Sequence, residues 1–329
     1  MHIDTAGTPL QWVAFLLIIG IFLALDLGVF HRKSHAVSFR EAVITSIVWI
    51  TLSMLFNLYI YYQFGTEKAL EFFAGYLVEK AMSVDNIFVF ILVFSYFRVP
   101  REYQHRVLFF GILGAIVLRG VFILLGSVVI QNFEWVVYIF GALLVVTAYK
   151  LIKQGEMEVD VEVNPMFRLA KRLFHVTPDY RGTHFFVREN GMLLATPLFL
   201  VLVAVEASDL VFAIDSIPAI FGITNDPFIV FSSNIFAILG LRALYFMLEG
   251  VMGQFEYLRY GLAGVLGFVG TKMLVSHYVK IPIGLSLGVI ALLLIGSVVA
   301  SILVDRKRLR TQAALERGSH SEQPPLPGA

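Results

Sequence analysis

The chain has 329 residues, of which 58% are hydrophobic and only 15% charged, with a formal net charge of +1 and no cysteine. A soluble domain carries about 25% charged residues, so the composition excludes an ordinary globular fold. The basic residues form no single patch for nucleic acid, and disulfides, thiolate metal sites and cysteine nucleophiles are all excluded.

The apolar residues run for about 20 positions at a time, the length that crosses ~30 Å of hydrocarbon. The predicted architecture is an all-α, polytopic transmembrane helical bundle of about nine spans. They fall near 10–30, 40–62, 69–97, 106–130, 133–152, 195–221, 227–249, 256–275 and 281–304. The first lacks a preceding basic stretch and a following small-residue cleavage site, so it reads as a retained helix. Residues 1–310 form one transmembrane domain, and the tail 311–329, with its Ser, Pro and Gly, is expected to be disordered.

The connection 153–194 opens with an acidic alternation (Glu156, Glu158, Asp160, Glu162). A short basic amphipathic stretch from Asn164 to Val176 follows, expected as one interfacial helix within a linker.

Orientation follows from Lys and Arg in the connections. Of the 25 such residues, Lys80, Arg119, Arg242 and Lys272 lie within spans, and only Lys68 and Lys280 lie on one side. The rest gather on the other side, among them Arg32, Arg98, Arg101, Arg106, Lys153, Arg168, Arg172, Arg188 and Arg306. The N-terminus is therefore expected outside and the C-terminus in the cytoplasm, the chain lying in an inner-membrane-type bilayer.

Three landmarks recur. Phe133-Glu134 returns as Phe255-Glu256, Arg119 as Arg242, and Asp85 as Asp209, at offsets of 122, 123 and 124 residues. The implied unit is three helices, about 69–152 and 195–275. An odd number of crossings inverts the second copy, the plan of many transporters, with a site near the midplane where the copies meet.

Inside the spans lie Glu79, Asp85, Glu206, Asp209 and Asp215, with Asn86, Ser83 and Ser208 as neutral oxygen donors. A carboxylate at a helix centre costs roughly 2.5–3.5 kcal/mol, so the five acids together oppose insertion by roughly 12–17 kcal/mol unless something neutralises them. Internal pairing is one compensation, with Arg119 and Arg242 at comparable depth. Lys80 and Lys272 are expected nearer the outer face. A bound cation is the other, because the acids outnumber the arginines. At about 100° per residue, Glu79, Ser83 and Asn86 share one helical face, as do Glu206, Asp209 and Ser216. Ser208 and Asp215 point nearly opposite. A break at Ser216-Ile-Pro218 is one way to redirect Asp215; a separate step such as proton release is the other. Asp26 in the first span is a further acid of the pathway or simply a capping residue. The eight histidines fall in loops or at span edges, so the donor set is all oxygen. It suits Mg²⁺, Ca²⁺ or Mn²⁺ and leaves the choice among them open.

Glu79-Lys-Ala-Met-Ser-Val-Asp85-Asn86 and Val205-Glu206-Ala-Ser-Asp209-Leu-Val-Phe-Ala-Ile-Asp215-Ser-Ile-Pro-Ala resemble the two signatures of the TerC family. Phe186-Val-Arg-Glu-Asn-Gly191 and Ser233-Asn-Ile-Phe-Ala-Ile-Leu-Gly-Leu-Arg242-Ala resemble further family segments, and the likeness is to the Alx-type bacterial members. It covers roughly Thr8 to Val304. The resemblance implies manganese export from the cytoplasm, with the family's acidic positions carried onto Glu79, Asp85, Glu206, Asp209 and Asp215. A divalent cation substrate and the lipid bilayer are the expected partners. No cofactor and no nucleic acid are expected, and the protein partners stay open. Coupling to protons is a further expectation. A calcium or magnesium transporter and a non-transporting membrane scaffold remain as alternatives. No nucleophile–base pair, nucleotide loop or HExxH-type motif points to an enzyme.

Overall fold

The computed structural model describes residues 5–28, 38–133, 135–153, 165–189, 191–249 and 258–321, and of 25–28, 249 and 305–321 only the backbone. Glu134, Phe255 and Glu256 of the predicted repeat, the acidic run at 156–162 and the Asp26 side chain lie outside the described residues.

In chain order the elements are α1 (Pro9–Gly28), α2 (Phe39–Tyr96), α3 (Arg101–Asn132), α4 (Val136–Lys153), α5 (Pro165–Leu173), β1 (Phe186–Glu189), β2 (Met192–Ala195), α6 (Pro197–Phe221), α7 (Pro227–Leu239), α8 (Leu241–Glu249), α9 (Leu258–Leu274) and α10 (Ile283–Ser321). Among the described residues seven helices are long and apolar enough to cross a membrane, with α7 and α8 together making one of them, and Pro9–Ala24 adds a shorter apolar helix. The protein is an all-α polytopic bundle.

The 58 residues of α2 include a non-helical position at Gly65, whose φ of 87° is left-handed and suits glycine. The chain turns back there. Phe56 and Phe72 lie sixteen residues apart, yet their rings are 5.6 Å apart. In a straight helix the 1.5 Å rise per residue would separate them by about 24 Å. The two limbs coincide with the separate spans predicted at 40–62 and 69–97.

At the bundle centre, every residue of α7 from Pro227 to Leu239 is buried. Asp226 starts this helix by accepting a bond from Phe228 N at 3.0 Å, with Pro227 directly behind it. An aromatic seam holds α1 and the first limb of α2 against α7: Phe15 meets Phe228 at 5.9 Å and Phe56 meets Phe236 at 4.9 Å. Helices of the first predicted copy pack on helices of the second: α4 along α9, α3 on α6, and α2 on α7. Where α4 crosses α9, a Cβ on Gly141 would stand 2.9 Å from the Gly270 carbonyl oxygen, and one on Gly270 would stand 2.7 Å from that of Gly141. Only hydrogen at both positions lets the backbones come so close.

Two local features differ from expectation. The α4–α6 connection contains a β-hairpin besides the predicted helix, with Glu189 paired to Met192 and Gly191 at φ 79°, and the sequence between the strands reads Asn190-Gly191. That dipeptide is the strongest short-range hairpin signal. At the other end α10 continues to Ser321, past the position near 311 where disorder is expected. The segment Ala313-Ala-Leu-Glu-Arg317 consists of strong helix formers.

Candidate functional site

Arg119, near the middle of α3, is 1% exposed. Its guanidinium reaches two carboxylates from different parts of the chain. Nη1 donates to Oε1 of Glu79 on α2. Nη2 donates to Oδ1 of Asp209 on α6 at 2.9 Å, and Nε donates to Oδ2 at 3.3 Å. The second contact is the two-bond fork that only arginine supplies. Nη1 also lies 3.4 Å from both Ser216 Oγ and Asn234 Oδ1. Asp209 and Ser216 are seven residues apart, two helical turns, so α6 presents both on one side.

On the same helices and on α7 other polar atoms are buried without partners. They include Glu79 Oε2, Asn86 Oδ1, Glu206 Oε2 and Asn234 Nδ2. Ser83 Oγ donates to the Glu79 carbonyl and Ser208 Oγ to the Ala204 carbonyl, both at 2.8 Å. Each hydroxyl proton is thus used on its own helix, and the oxygen lone pairs stay available as neutral ligands. Asp85 is half-buried. The Glu206 carboxylate rests on Gly114 of α3, filling the space that a Cβ would need.

Asp215 lies elsewhere. Its carboxylate accepts from Thr147 Oγ1 of α4 at 3.0 Å, one face of α6 away from Asp209. A break at Pro218 does not bring it round, because α6 continues as helix to Phe221. Arg242 stands beside His105 of α3, its Nη1 at 3.1 Å from Nε2, outside the Arg119 network. Lys80 is also displaced from its expected outer position. Its Nζ donates to the Ala237 carbonyl at 3.2 Å, at the end of α7, where Gly240 separates it from α8. An ammonium at a helix C-terminus is favourable, since the last carbonyls there lack intrahelical donors.

The geometry thus joins Glu79, Asp209, Ser216 and Asn234 through Arg119, and leaves Asp215 and Arg242 with other partners. Among the described residues no three of His, Asp and Glu form a group that could hold a metal ion. Arg119 occupies the space between two of the candidate ligands. The role of Gly114 is illegible in sequence, where Gly111-Ile-Leu-Gly114 reads as a helix-packing face; Gly111 does pack on Val205.

Eight residues before Glu79 on α2, Glu71 accepts from Lys68 Nζ at 2.8 Å and from Thr224 Oγ1 at 2.6 Å. Lys68 also reaches Asp226 at 3.8 Å. Asp226 further accepts from Ala6 N at 2.8 Å and Thr5 Oγ1 at 3.2 Å. These contacts tie the N-terminal segment to α2 and α7 on the side where few basic residues lie.

Residues 64–309 match the family model described as integral membrane protein TerC family. The chain is 51% identical over 302 residues to an uncharacterized membrane protein of Myxococcus xanthus, covering 92% of this chain and 95% of that one. It is 49% identical over 296 residues to the Escherichia coli K12 protein named "Putative membrane-bound redox modulator Alx", covering 87% and 92%. An uncharacterized membrane protein of Rickettsia bellii is 46% identical over 302 residues, covering 91% of this chain and all of its own length. No solved structure matches.

Proposed function

Because the chain belongs to the TerC family of integral membrane proteins, we propose that it moves a divalent metal ion through the acidic interior of the bundle, with manganese leaving the cytoplasm as the specific reading. The observation that carries this is Arg119, one guanidinium shared by Glu79 and Asp209. It neutralises about one of two negative charges. Glu206 and Asp85 add more, and Glu79 Oε2, Glu206 Oε2 and Asn86 Oδ1 are buried oxygens with no donor. Such a site gains from a cation, and its oxygen donors match a hard divalent ion. The preference for manganese comes from the family resemblance alone.

In this reading Arg119 and the metal compete for the same carboxylates. An arriving ion takes Glu79 and Asp209, joined by Glu206 and by Asn86, Ser83 and Ser208 oxygens. Arg119 then leans on Ser216 and Asn234, which already lie 3.4 Å from Nη1. Its return after release prevents the acids from being left bare in low dielectric, where unpaired charge is most costly. Asp215, held by Thr147, serves a separate step, and proton transfer is the natural one for a carboxylate off the main cluster. Thiol–disulfide exchange is closed to a chain without cysteine.

The test is ⁵⁴Mn loading of inside-out vesicles carrying the full chain, with Ca²⁺ and Mg²⁺ as competitors. Loading that falls to background in Glu79→Gln and Asp209→Asn, with folded protein in the membrane, supports the reading. Glu79→Gln and Asp209→Asn variants that transport like the parent overturn the site. Failure of the parent to load or bind any divalent ion overturns the function.

A further inference from the structure

The connection between α4 and α6 carries a surface that ion movement does not use. With Ala170 as reference and about 100° per residue, Phe167 and Phe174 lie within about 60° of it on the same side. That side faces the bundle: the Phe167 ring is 5.6 Å from Phe97 and the Phe174 ring 5.1 Å from Phe199. Leu173 and Leu169 occupy the next strip around the helix, and they are 65% and 55% exposed. Arg168 and Arg172 are exposed on the opposite side.

The hairpin repeats the pattern. Its register sets Leu193 opposite Arg188, on the face that also carries Phe186. Phe186 packs 4.6 Å from Phe199 and 5.8 Å from Phe174, which joins this face to α5. Leu193 is 67% exposed.

The level of both elements is set by their anchors. Phe97 caps α2, and Phe199 lies in the first turn of α6. The Tyr180 hydroxyl donates to the Phe97 carbonyl at 2.8 Å, and burial pushes its pKa up to about 12, so it remains a donor. Helix α5 and the hairpin are therefore pinned at the ends of spanning helices, where hydrocarbon gives way to headgroups.

We propose that α5 and the β1–β2 hairpin form a platform that seats on anionic phospholipid. Leu169, Leu173 and Leu193 enter the acyl boundary, while Arg168, Arg172 and Arg188 meet headgroup phosphates. Exposed leucine beside arginine is the signature of a segment lying in the interface plane. Arg98, Arg101 and Arg106 on the same side of the bundle extend the positive field. The platform rests on helix ends and local packing, so it stands whether or not an ion moves through the bundle.

The chain has no cysteine, so single Leu173→Cys and Leu193→Cys variants of the full protein can be spin-labelled without background. Asp179→Cys, in the exposed part of the connection, serves as the reference. Collision with oxygen and with a water-soluble nickel complex is then read in nanodiscs of phosphatidylcholine alone and of phosphatidylcholine with phosphatidylglycerol. In the anionic discs nickel access at 173 and 193 falls to a small fraction of that at 179, and oxygen access rises. Triple substitution Arg168→Gln, Arg172→Gln, Arg188→Gln abolishes that protection. Nickel access at 173 and 193 equal to that at 179 overturns the proposal and points to a soluble protein partner. Equal protection in neutral discs, or in the triple variant, overturns the anionic recognition. The labelled leucines are surface residues, so their replacement leaves the core intact.

Discussion

The carboxylate of Glu206 on α6 lies against Gly114 of α3, where Oε1, Oε2 and Cδ fill the space a β-methyl would take. Gly114→Ala therefore moves a carboxylate and not a backbone, because the obstructing atoms are the end of a flexible side chain. The expected result is a stable protein with weakened divalent-ion binding by calorimetry. The two substitutions couple. In a Glu206→Gln background, Gly114→Ala adds little, and the cycle shows an interaction energy of about 0.5–3 kcal/mol, the range for residues in contact. Additive effects would mean that Gly114 acts on packing alone.

Arg119→Gln leaves Glu79 and Asp209 buried with a neutral partner. Removing one member of a buried ion pair costs about 3–5 kcal/mol, so the thermal midpoint in detergent falls well below that of the parent. Arg119→Lys recovers only part of this, since an ammonium lacks the fork that holds both Asp209 oxygens. Added Mn²⁺ raises the variant's midpoint more than the parent's, because binding to the folded state stabilises it by mass action. A variant as stable as the parent would show that the acids do not depend on this counter-charge.

At the α4–α9 crossing the obstacle is backbone. A methyl on Gly141 or Gly270 meets the opposite carbonyl at 2.9 or 2.7 Å, and the helices must part to admit it. Gly141→Ala and Gly270→Ala each lose about 1–3 kcal/mol, the usual cost of overpacking. Gly288→Ala, with nothing within 4 Å of its added Cβ, is neutral or stabilising, since alanine is the better helix former. Thermal unfolding of the three variants side by side checks the contrast.

Asp226 caps α7 and holds Ala6 N at 2.8 Å. Asp226→Ala removes both bonds and costs about 0.5–2 kcal/mol, as loss of an N-cap does. Hydrogen exchange quickens at the Ala6 and Phe228 amides. Asp226→Asn keeps one oxygen acceptor and restores protection at only one of the two amides, because Ala6 N and Phe228 N bond to different carboxylate oxygens. The other amide then faces an NH₂ group, and the attraction to Lys68 at 3.8 Å is lost as well. Unchanged exchange in Asp226→Ala would place the capping bonds elsewhere.

Much of this was legible in order along the chain. The face shared by Glu79, Ser83 and Asn86 follows from helical period, and all three are buried. The same period separates Asp215 from Asp209, and the two go to different helices. Of the two alternatives the sequence leaves for Asp215, the break at Pro218 is the one the fold does not use: α6 runs on through the proline to Phe221, with Ile217, Pro218 and Ala219 all buried. Lys80 departs from the ordinary rule that a lysine near a span end snorkels. Here the end of α7 at Gly240 offers it carbonyl partners inside the bundle.

Local chemistry alone decides that the chain enters a membrane, where its helices run, and which acids are forced inside, because hydrocarbon thickness and helical pitch act on neighbouring residues. Partner choice is a different matter. That Arg119 serves both Glu79 and Asp209, and that Gly114 yields its space to Glu206, depends on helices about 40 to 130 residues apart in sequence being brought side by side. Only the packed bundle sets those distances, because each helix can present its polar face to several others until backbone contacts such as Gly141 on Gly270 select one arrangement.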